Sequence, residues 1–400
     1  MKKARNSAVV SVLALAALTF APLATSHADA VTINVQDYYT PGPSVIHTII
    51  TDCATQNGAT ANITSVPGDQ LIAKILQQSS SHTLPDIEML DNPDVAAVAS
   101  TGALLPLDGF GITSAGIIKG VASADSYQGQ LYALQPITNS IALFYNVDIL
   151  KKAGIKPPIT WAELAVDAKK LSHGNKYGLA FSAKADYEGT WQFLPFMWTA
   201  GANENNINTP AMVKAVQFWV DLFKAHSVSR SALQWAQSDV NNQFIAGNAA
   251  MMINGPWQYP ALNAVKSLHW AVVPTPSLVP GKPSQSPLGG EGWALGNTGN
   301  TANEAIAAKI ISCINSDANI LKFAAGGGVV PTHTNLLAGF ASANPQMAAW
   351  AKVVVTARAR TGLLGAGWPA AATKIYKAYQ FAIVGGKTAQ QAVAAAASGN

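Results

Sequence analysis

The chain has 400 residues, of which 49% are hydrophobic and 12% charged, with a net charge of +4. That length and apolar content support a large core, in two or three domains or one two-lobed unit, and exclude general disorder. Nothing in the sequence gathers Lys and Arg on one face as a nucleic-acid footprint requires.

The N-terminus reads as an export leader. Lys2, Lys3 and Arg5 make a basic start, an apolar run follows from Ala8 to Leu23, and Ala28-Asp29-Ala30 gives a small-x-small cleavage site. Cleavage is predicted after Ala30, so residues 1–30 form a signal peptide. The run is short for a membrane span, and no second apolar segment of about 20 residues follows. Loss of Lys2, Lys3, Arg5 and Asp29 lowers the net charge from +4 to +2. No Cys stands at the cleavage site, which argues against a lipid anchor and for a free protein in the periplasm.

The remaining chain alternates short strands with amphipathic helices. Val31–Val35 reads as a strand broken by Pro41-Gly42-Pro43, and a helix follows from Ser44 to about Gln56. Ala61–Val66 is strand-like, Asp69–Gln78 is helical, and Pro85–Leu90 is a third strand. This rhythm predicts a parallel sheet with helices on both faces.

A second round begins with the strand Ile141–Tyr145. Thr160-Trp161-Ala162-Glu163 is a capping box. Tyr177–Phe181 is a strand, and Thr209-Pro210 opens a helix whose inner face is Val213, Val216, Val220 and Phe223. Ala250–Ile253 and Trp270–Val273 are strands, and a helix follows at about Asn303–Ser316. Gly326-Gly327-Gly328 reads as a helix stop or hinge. Cys53 and Cys313 each lie on an apolar helix face. They are either two buried thiols or one disulfide, and the disulfide requires those helices to be neighbours.

Familiar catalytic and metal signatures are missing. There is no G-x-S-x-G elbow, no G-x-x-x-x-G-K-[ST] loop, no H-E-x-x-H and no Cys/His metal spacing. No catalytic residue, metal or cofactor is therefore expected. Asp186 and Glu188 are close in sequence, as acids in a solvated loop often are. More informative are Trp191, Trp198, Trp257, Trp293 and Trp368, each near Gly, Pro or Asn. An aromatic plate matches the C–H face of a pyranose, and Asp, Asn and Glu match its hydroxyls. For any single Trp, core filling is the commoner role.

Several segments carry a family likeness. They are Asn139-Ser140-Ile141-Ala142-Leu143-Phe144-Tyr145-Asn146 with the following Asp148–Gly154 and Pro157–Leu164; Phe244–Trp257; Gly289-Gly290-Glu291-Gly292-Trp293-Ala294-Leu295; Pro85-Asp86-Ile87 with Gly102–Leu105; and Gly385–Ala392. Together they resemble the family 1 extracellular solute-binding proteins, the maltose-binding-protein-like group of ABC importers. The resemblance implies a periplasmic-binding-protein type II-like α/β fold: two α/β lobes joined by crossing hinge segments, with the ligand cleft between them. It implies a first lobe of about 31–138 plus 290–330 and a second of about 139–289 plus 331–400.

By the same resemblance, Asp37, Tyr38, Tyr39, Leu90, Asp91 and Asn92 fall on first-lobe cleft loops. Asn139, Glu291 and Trp293 fall at the crossovers. Asp186 and Tyr187 match a second-lobe ligand loop, Trp257 matches a stacking Trp, and Trp368 lies near the closing helix. Leu90 departs from the aromatic common in maltose binders. Asn139 stands where those proteins have an acid. The implied function is capture of a sugar or similar polyhydroxylated solute by hinge closure, with delivery by a monomer to a membrane permease. The alternative is a periplasmic carbohydrate-active hydrolase. A phosphate-bearing ligand would require convergent Arg; Arg358 and Arg360 are candidates, otherwise placed at an exposed helix end.

Overall fold

A computed structural model describes Met1 and residues 31–39, 44–282 and 284–399. The expected leader of residues 2–30, its cleavage site and the Pro41-Gly42-Pro43 break lie outside the described residues.

The first sheet follows from the βαβαβ pattern. Strand Val31–Asp37 lies between Ala59–Ser65 and Ile87–Asp91, parallel to both. Strand Glu291–Gly296 then adds antiparallel to Ile87–Asp91 and also pairs with Leu104–Leu105 and Ala133–Leu134. Helix Val45–Gln56 starts where Ser44 accepts the His47 N–H at 3.1 Å. Its apolar face, Ile46, Ile49, Ile50 and Cys53, is buried.

The second sheet runs Tyr177–Ala180, Ala249–Asn254, Ala142–Asn146, Trp270–Val273. Both of its faces are covered, so its central strands are mostly apolar, up to the asparagines that end them. Along Ala142–Asn146, Leu143 enters one apolar cluster and Phe144 the other, as the two-residue period requires. Met251 and Met252 divide in the same way.

The capping box on helix Trp161–Leu171 forms as expected. Thr160 Oγ1 accepts the Glu163 N–H at 3.2 Å, and Glu163 Oε2 accepts the Thr160 N–H at 3.0 Å. These hydrogen bonds, including one from the Ile159 N–H, hold the Glu163 carboxyl below its ordinary range. Thr160→Ala is expected to lower stability by about 1 kcal/mol, measured by chemical denaturation.

Cys53 and Cys313 form a disulfide with a Cα–Cα distance of 5.7 Å. Helices Val45–Gln56 and Thr301–Ile314 are thus the neighbours that the bridge demands, and the two-thiol alternative is set aside.

The crossings between sheets are short and held by side chains. Asn139 and Gly289 pair through their backbones. Thr138 Oγ1 donates to Gly289 O at 2.7 Å, Ser140 Oγ to Pro287 O at 2.7 Å, and Gln135 Nε2 to Ile137 O at 2.8 Å. Gly290 has φ +122°, and a Cβ there would stand 2.1 Å from Gln135 Nε2, so only glycine fits this bend. Two further strand pairs accompany the crossing: Ile137–Thr138 with Val330–Pro331, and Pro287–Leu288 with Arg358–Ala359.

Candidate functional site: the cleft between the lobes

Open α/β sheets present ligand-binding loops at the carboxyl ends of their strands. Here two strands of the first sheet bring acids there. In the antiparallel register Glu291 faces Asp91, which puts both carboxyls on one face. Tyr38 and Tyr39 follow the first strand, and their hydroxyls donate to Glu291 Oε1 at 2.6 Å and Oε2 at 3.3 Å.

The opposite wall supplies a cation and aromatic rings. Arg360 donates to Asp91 Oδ2 at 3.0 Å, to Asp91 Oδ1 at 2.5 Å and to Asn92 Oδ1 at 3.1 Å. Its guanidinium lies 4.4 Å over the ring centre of Trp191. Tyr187 OH donates to Asp94 Oδ1 at 3.2 Å, and its ring is 6.5 Å from that of Trp368.

Burial, reinforced by the Asp91 charge, pushes the Asp94 and Glu291 carboxyls up to about 7, against the opposing pull of Arg360. Burial and the adjoining acids also push the Tyr38, Tyr39 and Tyr187 phenols upward. The cleft therefore holds three carboxyls, Asp91, Asp94 and Glu291, around one guanidinium.

Among the residues expected at the site, Tyr38, Asp91, Asn92, Tyr187 and Glu291 are drawn into this constellation. Asn139 is nine-tenths buried at the crossing; its Oδ1 and the Trp191 ring both crowd the space beside Gly289. Trp257 is half-buried on the second lobe, its ring folded over Gly255, where a Cβ would stand 1.9 Å from it. Trp368 begins helix Trp368–Ile383 and is buried, with Nε1 unpaired.

Other expected residues sit elsewhere. Leu90 is fully buried in the apolar cluster with Val95, Val98 and Leu104. One residue from Asp91 along a strand, it faces the other side of the sheet. Trp293 is also fully buried, opposite Met89, where it fills the first-lobe core. Asp37 is sealed beneath the cleft loop, with Oδ2 2.7 Å from His47 Nε2. Asp186 caps helix Tyr187–Thr199 by accepting the Glu188 and Gly189 N–H groups, and it pairs with Lys184 at 2.8 Å.

Arg358 and Arg360 lie at a short strand rather than at an exposed helix end. Arg358 donates to both Glu204 carboxylate oxygens at 2.9 Å and covers Trp198 at 4.6 Å. Arg360 is 3% exposed. Asp94 was not anticipated from the sequence: it lies in the short helix Asn92–Asp94 after the strand end, a position that carries no motif.

Among the described residues, no group of three or more His, Cys, Asp or Glu is placed to hold a metal ion. No described helix is long and apolar enough to cross a membrane.

The fold agrees with that of known proteins. MalE3 of T. maritima, solved bound to maltose, superposes with a TM-score of 0.81 at 22% identity, covering 92% of this chain and 99% of that one. The maltodextrin-binding protein MdxE of Bacillus subtilis is 22% identical over 333 residues, 78% of this chain and 75% of its own. A binding protein of Brucella abortus is 28% identical over 211 residues, 50% of this chain and 51% of its own. The chain thus aligns with about half the length of that relative. The family described as bacterial extracellular solute-binding protein matches residues 48–355. With the fold and three quarters of its length in agreement, the chain belongs to that bacterial extracellular solute-binding family.

Proposed function

We propose that the protein captures a sugar or related polyhydroxylated solute between its lobes and delivers it, as an exported periplasmic monomer, to the permease of an ABC importer. One observation carries this reading: aromatic rings of both lobes and hydrogen-bonding acids of the first meet at the strand ends. A solute ring would stack on Trp257, and its hydroxyls would pair with Glu291, Asp94 and Asn139. Closure excludes water, which strengthens each of these hydrogen bonds. The maltodextrin-binding relative and the maltose-bound structure support the same ligand class.

A thermal-shift screen against sugars, polyols, amino acids and glycerophospho-compounds tests the reading, since a ligand that binds only the folded state raises its melting point. A shift with amino acids alone would keep the fold and overturn the sugar assignment. Trp257→Ala is expected to weaken sugar binding at least tenfold, about 1.4 kcal/mol, by calorimetry. Unchanged affinity would remove Trp257 from the site. We read the acids as hydrogen-bonding groups without a hydrolytic role, because tyrosines occupy Glu291 and Asp94. Product release from a glycoside panel would overturn that assignment.

A further inference from the structure

We infer that the solute carries a positive charge together with its hydroxyls, as a sugar bearing a primary amine does. This rests on the sugar-capture reading and narrows its ligand class. The argument is one of charge. Three carboxyls, Asp91, Asp94 and Glu291, face one guanidinium, that of Arg360. Arg360 is committed to Asp91 and Asn92 through both terminal nitrogens and to the Trp191 ring beneath. Lys184 is likewise paired, with Asp186, and the His47 ring with Asp37.

Asp94 and Glu291 therefore receive hydrogen bonds from tyrosines but no full compensating charge. Tyrosine hydroxyls orient a carboxylate without neutralising it. Burial of such a group is costly unless it binds a proton or meets a cation. Both carboxyls are held near 7, poised between those two outcomes.

Two buried polar groups also have hydrogen-bonding capacity to spare. Asp94 is 4% exposed, and among the described residues only its Oδ1 receives a hydrogen bond. Asn139 is 8% exposed, and its side-chain amide makes no hydrogen bond to any described residue. An ammonium offers three donors and a charge, which suits a carboxyl whose one hydrogen-bond partner among the described residues is a tyrosine, as Asp94 is. A phosphate would add negative charge where acids already outnumber the guanidinium, whose two terminal nitrogens are taken by Asp91 and Asn92.

The test is titration calorimetry on the full chain at neutral pH. The probes are hexoses of several configurations, each as neutral parent, primary-amine derivative, N-acetylated amine and phosphate ester. The expected result is that the amine binds at least tenfold tighter than its neutral and acetylated counterparts, and that the phosphate ester does not bind. Asp94→Asn and Glu291→Gln are each expected to shrink the amine preference more than they weaken binding of the neutral parent. A neutral parent that binds as tightly as its amine would overturn the inference and leave the sugar reading intact. If no member of any set binds, the sugar reading itself fails, and this inference fails with it.

Discussion

Arg360→Ala is expected to cost about 3–5 kcal/mol of folding stability, because it leaves a largely buried carboxylate unpaired. Arg360 is 3% exposed and holds Asp91 through two hydrogen bonds. Without it, Asp91, Asp94 and Glu291 share the cleft with no facing guanidinium. The loss should depend on pH, and its sign follows from the raised carboxyls. Asp94 and Glu291 titrate at about 7 in the folded protein, above the ordinary range. Their favourable contribution is complete below about pH 4 and disappears as pH rises through about 7. Arg360 lowers both values. Its removal therefore matters least where the acids are protonated and most where they must ionise. Denaturant midpoints of the variant and its parent, compared at about pH 5 and about pH 8, check this. Equal deficits at both would assign the role of Arg360 to packing against Trp191. Arg360→Lys keeps the charge but loses the fork, so its deficit should be intermediate.

Breaking the Cys53–Cys313 bridge has the second large expected effect. The bridge links residues 260 apart in sequence, so it closes most of the chain into one loop. Chain-entropy reasoning gives about 5–6 kcal/mol for a loop of that size. The double variant Cys53→Ser with Cys313→Ser should unfold at clearly lower denaturant than the oxidised parent. Its solute affinity should be unchanged, because both cysteines lie on helices behind the first sheet. An unchanged midpoint would show that the packing of those helices alone holds them together. Cys53 is fully buried, so reductant should act on the native protein only slowly.

The local rules proved the most legible part of this sequence. Ser44, Thr160 and Thr209 cap helices as their neighbours predict, since a cap depends on three or four adjacent residues. Tyr38, Asp91, Asn92 and Glu291 were named through the family resemblance, and each lies at or next to a strand end. Leu90 shows the limit of that reading: one step along a strand changes the face, and only the register decides it. Trp293 shows another, since an aromatic beside glycines serves a core as readily as a cleft. The pairing of Arg360 with Asp91 was beyond sequence reasoning because the two lie 269 residues apart. The two meet only because Arg358–Ala359 pairs with Pro287–Leu288 at the crossing. The disulfide was undecided for the same reason, as only the returning helix Thr301–Ile314 brings the cysteines together.

The strand Glu291–Gly296 also has a consequence for the order of synthesis. It sits inside the first sheet, between Ile87–Asp91 and Leu104–Leu105. A growing chain that has not yet reached it presents Ile87–Asp91 with an open edge and an unfilled core, since Trp293 is missing as well. Such an edge invites pairing with other chains. The first lobe, although it begins the fold, cannot be finished until nearly three quarters of the chain exists. Its folding is late by construction, which leaves the early polypeptide pliable until that strand is made.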